Sequence, residues 1–173
     1  IGPRLILPFA EALSTEEHFL TIRRIRELLI SFGAEGRRAV ETLKNSANPA
    51  VRRTAVDLLR HFGGNDALNE LTVLLNDADP QVQRDAVRAI VTIGTAEAFE
   101  IIDRQCSTSD DARELIVREV IGLRDARAVP SLAAVLKNTA PRGAMAPLHE
   151  AIIDALAALG AHADSTAALR SAL

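Results

Sequence analysis

A glycine follows an apolar residue at almost constant intervals along this chain. The positions are Gly2, Gly33, Gly63, Gly94 and Gly160, and Arg124 occupies the matching place in the remaining interval. The steps are 31, 30, 31, 30 and 36 residues. A period of about 20–50 residues is typical of stacked repeats in which each repeat is one supersecondary unit. The spacing therefore predicts an array of small units.

Apolar residues keep the same phase before each of these positions. They recur at i, i+4, i+7, i+8 and i+11, the stripe of an amphipathic helix. The stripes are Ile25, Leu28, Leu29 and Phe32; Val51, Ala55, Leu58, Leu59 and Phe62; Val82, Ala86, Ala89, Ile90 and Ile93; Ala112, Ile116, Val120 and Leu123; and Leu148, Ile152, Ala155, Leu156 and Leu159. Shorter stripes follow, as in Leu68, Leu71 and Leu75, in Phe99, Ile102 and Cys106, and in Val129, Leu132 and Leu136. Each unit is therefore predicted to be two antiparallel helices.

Capping and breaking residues agree with this period. Asn48-Pro49 and Asp79-Pro80 each place a capping side chain before a proline at the first helical position. Residues 14–17 (STEE) have the pattern of a capping box. The longest step contains Pro141, Gly143 and Pro147, so we expect an irregular loop near residues 138–147.

Composition limits the class of protein. Of 173 residues, 48% are apolar and only 3% aromatic, with no Trp or Tyr, which suits thin, closely packed helices. The single cysteine, Cys106, cannot form an internal disulfide, so we expect a reducing, cytoplasmic compartment. No apolar run reaches the roughly 18–20 residues of a membrane span. Residues 61–120 hold 12 acidic and five basic residues, which argues against affinity for nucleic acid.

Three segments resemble the short HEAT repeats of the phycobilisome-lyase-like type: residues 48–53 (NPAVRR), 79–84 (DPQVQR) and 124–132 (RDARAVPSL). The chain as a whole resembles large bacterial HEAT-repeat proteins of unassigned function. The resemblance implies an all-α, right-handed α-solenoid of stacked antiparallel hairpins, with about five HEAT-like repeats. The N-terminal residues 1–3 (IGP) fall in the middle of a repeat, so we expect residues 1–173 to be a single solenoid segment of a longer chain. It also implies that first helices line the convex side and second helices the concave side.

Enzymes that resemble this architecture need residues that this chain supplies poorly. Deoxyhypusine hydroxylase binds iron through several His-Glu pairs, whereas the sequence has only His149-Glu150. Bilin lyases need a tetrapyrrole cleft, for which five Phe are a meagre aromatic supply. We therefore expect no enzymatic activity, no cofactor and no metal. An accessory subunit of a lyase-like cofactor-attachment system stays open as the alternative function.

Arginines and the cysteine have structural interpretations as well as functional ones. The basic residues Arg23, Arg24, Arg26, Arg37, Arg38, Arg52 and Arg53 could form a phosphate track like that of armadillo-like DNA glycosylases. Pairing of residues such as Arg53 and Arg84 with turn carboxylates such as Asp79 is the favoured interpretation. Cys106 occupies a stripe position, which predicts a core residue rather than a nucleophile.

The outward side of the second helices is left for function. The helical phase places there the partner-binding candidates Glu41, Lys44, Asn69, Glu70, Thr72, Glu100, Asp103 and Arg104, together with Glu11, Ser131, Ala133 and Ala134. Acidic residues outnumber basic ones in this set. We therefore expect a protein-interaction scaffold whose groove, acidic in its middle, binds a basic or amphipathic segment of another protein, with no nucleic-acid or membrane partner. The alternative is that these are solvated helix faces.

Overall fold

The computed structural model describes residues 19–139 and 143–159, together with Pro8 and Ala12. Within these residues all regular secondary structure is helical. They are α1 (Phe19–Ser31), α2 (Ala34–Leu43), α3 (Pro49–Phe62), α4 (Gly64–Leu74), α5 (Pro80–Ile93), α6 (Ala96–Cys106), α7 (Asp110–Leu123), α8 (Val129–Asn138) and α9 (Ala146–Ala158), with 3-10 turns at Ala126–Ala128 and Gly143–Met145. We call α1, α3, α5, α7 and α9 the first helices and α2, α4, α6 and α8 the second helices. The fold class is the predicted all-α solenoid of helical hairpins.

The chain divides into two compact units, residues 1–89 and 90–173, with the boundary inside α5. In the first unit, α1 packs on α2 and α3, and α3 packs on α2 and α4. In the second unit, α6 packs on α7 and α8, and α9 packs on α7, α8 and the turn before it. Thus α1 contacts both its hairpin partner and the next first helix, and α6 contacts both helices of the following hairpin. Packing between neighbouring hairpins of this kind stabilises solenoid repeats.

The periodic positions are the tight turns between first and second helices. Gly33, Gly63 and Gly94 have φ values of 56°, 64° and 64°, and Arg124 has a φ of 52°. The predicted equivalence of Arg124 with the glycines is thus confirmed. Gly2 and Gly160 lie outside the described residues.

Side-chain caps start the helices where the sequence predicts them. Asn48 Oδ1 accepts the Ala50 N–H at 2.9 Å, and Asp79 Oδ1 accepts the Gln81 N–H at 2.8 Å. Thr95 and Ser109 cap α6 and α7 in the same way. Each bond satisfies one of the amides that a helix start leaves unpaired. The predicted capping box at residues 14–17 lies outside the described residues.

The predicted stripes form most of the core. Exceptions are Leu28 and Leu123, which are 42% and 37% exposed. Leu28 lies within α1, and Leu123 ends α7 beside the turn at Arg124. Three equivalent positions outside the predicted stripe, Val56, Val87 and Val117, are buried. First helices are therefore covered on more than one face.

A long polar side chain in the first turns of α3, α5 and α7 reaches back to the preceding backbone. Arg52 Nη1 donates to Ser46 O at 2.8 Å, Gln83 Nε2 donates to Asp77 O at 2.6 Å, and Arg113 Nε donates to Cys106 O at 3.0 Å. These bonds hold each first helix against the loop or helix end before it.

The predicted irregular loop falls between α8 and α9, and residues 140–142 of it lie outside the described residues. Pro147 does not break a helix, contrary to expectation. It lies in the first turn of α9, where a proline's missing N–H costs nothing. The buried His149 ring places Nε2 2.6 Å from the carbonyl oxygen of Thr139, which ties the start of the loop to α9.

Candidate interaction surface

The structure places all eight partner-binding candidates on second helices or at their ends. Glu41 lies on α2 and Lys44 caps it; Asn69, Glu70 and Thr72 lie on α4; Glu100, Asp103 and Arg104 lie on α6. Thr72 Oγ1 donates to the Leu68 carbonyl at 2.8 Å, so its hydroxyl proton bonds its own helix.

Glu70 lies at the centre of an ion-pair cluster that joins α2 to α4. Its carboxylate pairs with Arg37 and lies 3.0 Å from Lys44 Nζ, which in turn lies 2.9 Å from Glu41 Oε2. The Glu70 side chain is only 16% exposed. Burial by itself would raise the pKa of Glu70, but the hydrogen bonds and charges of Arg37 and Lys44 outweigh it and lower that pKa below its ordinary value. The negative charge of Glu70 is therefore already balanced by two cations, and its ion pairs hold α2 and α4 together.

The candidate residues of α6 have a different environment. Glu100, Asp103 and Arg104 are exposed, and Glu97 on the same helix is half-buried. Within the described part of the chain, none of these four side chains forms an ion pair. The outer side of α6 thus presents the carboxylates of Glu100 and Asp103 and one guanidinium to solvent, with Glu97 partly exposed beside them, and its net charge is negative.

On α8 the outward face was predicted to include Ser131, Ala133 and Ala134. This prediction is wrong for Ser131, which is buried, while Ala133 and Ala134 are half-buried. The reason is that α8 packs on both α6 and α9, which cover that side. Glu11 lies outside the described residues.

Arginines of the first unit are engaged with carboxylates. Six of the seven considered as a phosphate track are paired: Arg23 with Glu27, Arg26 with Asp57, Arg37 with Glu70, Arg38 with Glu35, Arg52 with Asp77 and Arg53 with Asp85. The partner expected for Arg53 was wrong, since Asp79 caps α5 and the turn carboxylate Asp77 pairs with Arg52 instead. These pairs support the structural interpretation of the arginines.

Cys106 is a core residue, as predicted. It is 4% exposed, and burial, with a smaller contribution from the charge of Asp103, raises the pKa of its thiol to about 12. Thiolate is the reactive form, so burial and the raised pKa both disfavour reaction of this side chain near neutral pH.

The described residues hold neither a cluster of metal ligands nor a membrane-spanning helix. Among residues 19–139 and 143–159, no three His, Cys, Asp or Glu side chains converge as a metal site requires. None of the helices in those ranges is long and apolar enough to cross a bilayer.

An open groove runs between α2 and α4 in the first unit. One part, of about 440 Å³, is lined by Arg37, Arg38, Glu41, Asp66, Asn69 and Glu70. The adjoining part, of about 350 Å³, is lined by Ala34, Arg37, Phe62, Gly63, Gly64, Asn65 and Asp66. Because the two parts share Arg37 and Asp66, we treat them as one α2–α4 groove. Sequence reasoning missed Asn65 and Asp66 because they precede the apolar stripe of α4.

Fold and surface together define an α-helical repeat protein with polar second-helix faces. Residues 37–119, slightly less than half of the chain, match the family model of HEAT repeats. This match spans α3–α6 completely and supports a HEAT-repeat protein, while a bacterial origin and the phycobilisome-lyase-like repeat type stay predictions.

The chain is similar to an engineered protein whose crystal structure was determined by a structural genomics consortium, with a TM-score of 0.42 and 14% identity over 99% of this chain and 88% of that one. No curated protein matches this chain.

Proposed function

We propose that this chain is a non-enzymatic interaction scaffold that binds another protein on the outer side of its second helices. The HEAT-repeat match supports the general role, since this repeat fold is commonly used for protein interaction. The observation that carries the proposal is the contrast between two acidic positions. Glu70 is neutralised by two cations, whereas Glu100 and Asp103 on α6 are exposed and unpaired within the described residues.

Unpaired surface carboxylates favour a basic partner segment. Opposite charges across an interface speed association and exclude wrong partners more than they add affinity. The partner is therefore expected to present lysines or arginines to α6, and its binding is expected to weaken as salt is added.

The test is affinity capture from a lysate of the source cell with three versions of the full chain. The wild type is compared with Glu100→Lys/Asp103→Lys and with Glu150→Lys/Asp154→Lys, which makes the same charge change on exposed positions of α9. A partner that is captured by the wild type and the α9 variant, and lost with the α6 variant, supports the proposal. Equal capture by all three chains would contradict it. A visible absorbance band in the purified protein would instead favour the accessory-subunit alternative.

A further inference from the structure

We propose that the α2–α4 groove binds an extended peptide segment that carries a basic side chain. This inference rests on the proposed function, because it names the class of partner that one second-helix surface takes. It concerns the first unit alone and uses residues other than the α6 carboxylates.

The charged side chains on the α2 side of the groove already have ion-pair partners. Arg37 and Lys44 are paired with Glu70, Lys44 also with Glu41, and Arg38 with Glu35. Cations and carboxylates are matched in number there, so the wall is a charge-balanced surface. Pairs that join α2 to α4 also fix the width of the groove.

On the α4 side of the groove, exposed polar side chains are available to a ligand. Asn65, Asp66 and Asn69 line the groove and are exposed, and their side chains have no hydrogen-bond or ion-pair partner among the described residues. Asp66 lies in the first turn of α4, where its negative charge is favourable to the helix dipole, and the residue is exposed. Since the α2 wall is balanced, Asp66 supplies the one unmatched charge of the groove. A lysine or arginine of the bound peptide would balance that charge.

Spacing along α4 matches an extended chain. Asn65, Asn69 and Val73 follow one another at four-residue intervals, which places them about 6 Å apart along the helix. Two residues of an extended peptide also advance about 6–7 Å. A peptide along α4 would thus meet one of these side chains at every second residue.

The amide side chains of Asn65 and Asn69 favour an extended peptide over a helical one. An asparagine amide donates and accepts, so it can bond both the C=O and the N–H of a peptide backbone. A helical ligand has already used those groups internally and would leave the amides without partners. Val73 is 73% exposed and lies outside the groove lining, so it offers an apolar contact only to a peptide that extends past the groove along α4.

The experiment uses peptides as probes. A phage library of random 12-residue peptides is selected on the full chain, and the best sequence is synthesised and titrated by fluorescence anisotropy. We expect selected peptides to contain a lysine or arginine. Asn65→Ala/Asn69→Ala and Asp66→Asn are each expected to raise the Kd at least tenfold. Asn76→Ala is the matched control, since Asn76 is exposed but does not line the groove, and it should leave the Kd unchanged.

Recognition of the peptide backbone is tested by a separate measurement. Methylating alternate backbone nitrogens of the selected peptide should abolish binding. The inference is overturned if no peptide is enriched, if selected peptides bind the groove variants as tightly as the wild type, or if the bound peptide is helical by circular dichroism. Partner capture that depends on α6 would then still stand, so failure here is distinguishable from failure of the proposed function.

Discussion

At the scale of single residues, Gly63 and Arg124 occupy equivalent turns with different backbone conformations. Arg124, at φ 52° and ψ 35°, is in the left-handed helical region, which a side chain can enter at modest cost. Gly63, at φ 64° and ψ −164°, is in a region essentially restricted to glycine. The period shows that a turn belongs at both positions, but it does not show that only one of them requires glycine.

We expect Gly63→Ala to destabilise the protein by about 1–3 kcal/mol. A Cβ at Gly63 would meet no atom within 4 Å, so backbone strain alone carries the effect. Gly122→Ala is the control, because Gly122 lies within α7 with equally open space and alanine there should stabilise by up to about 1 kcal/mol. Urea unfolding measures both. Equal shifts of the same sign would show that the strain argument is wrong.

At the scale of elements, one partly buried ion pair links α3 to the loop before α5. Arg52 Nε and Nη2 each donate to an Asp77 oxygen at 2.7 Å, and the Asp79 N–H donates to Asp77 at 2.8 Å. The hydrogen bond from Arg52 is the main cause that lowers the pKa of Asp77, against the opposing effect of burial.

This pair predicts how stability depends on pH. Because the folded-state pKa of Asp77 is lowered, its contribution is present above the ordinary pKa of 3.8 and is lost as the pH falls through the folded-state value. Asp77→Asn should therefore cost about 2–3 kcal/mol at pH 7 and lose less further stability below about pH 4 than the wild type. Urea unfolding at pH 7 and pH 3 measures this.

The matched control for that prediction is Glu27→Gln. Glu27 pairs with Arg23 at 3.0 Å, but both side chains are more than half exposed, so the cost should stay below about 1 kcal/mol. A loss at Glu27 as large as that at Asp77 would contradict the importance given to partial burial.

The elements themselves were predictable because their signals are local. Helix stripes, caps at Asn48 and Asp79, and turns near Gly63 depend on residues a few positions apart. The burial of Val87 and the pairing of Glu70 with Arg37 depend on where a neighbouring helix lies. A stripe gives the core face of a helix but not the partners on its flanks, so these features could not be predicted.

At the scale of the whole molecule, the acidic excess of residues 61–120 does not by itself locate a recognition surface. In the first unit Glu70, Asp77 and Asp85 are engaged with arginine or lysine. In the second unit Glu100 and Asp103 have no such partner within the described residues. The helical phase gave Glu70, Glu100 and Asp103 the same predicted role, and only the ion pairs of the structure separate the acid that holds helices together from those open to a partner.

The most direct test of the central claim is hydrogen–deuterium exchange of the chain with and without a captured partner. We predict that the partner slows exchange in second helices, above all in α6 (Ala96–Cys106), and leaves α7 (Asp110–Leu123) and α9 (Ala146–Ala158) unchanged. That result would establish recognition through the second-helix face. Protection confined to α7 and α9 would contradict it and place the partner on the first helices.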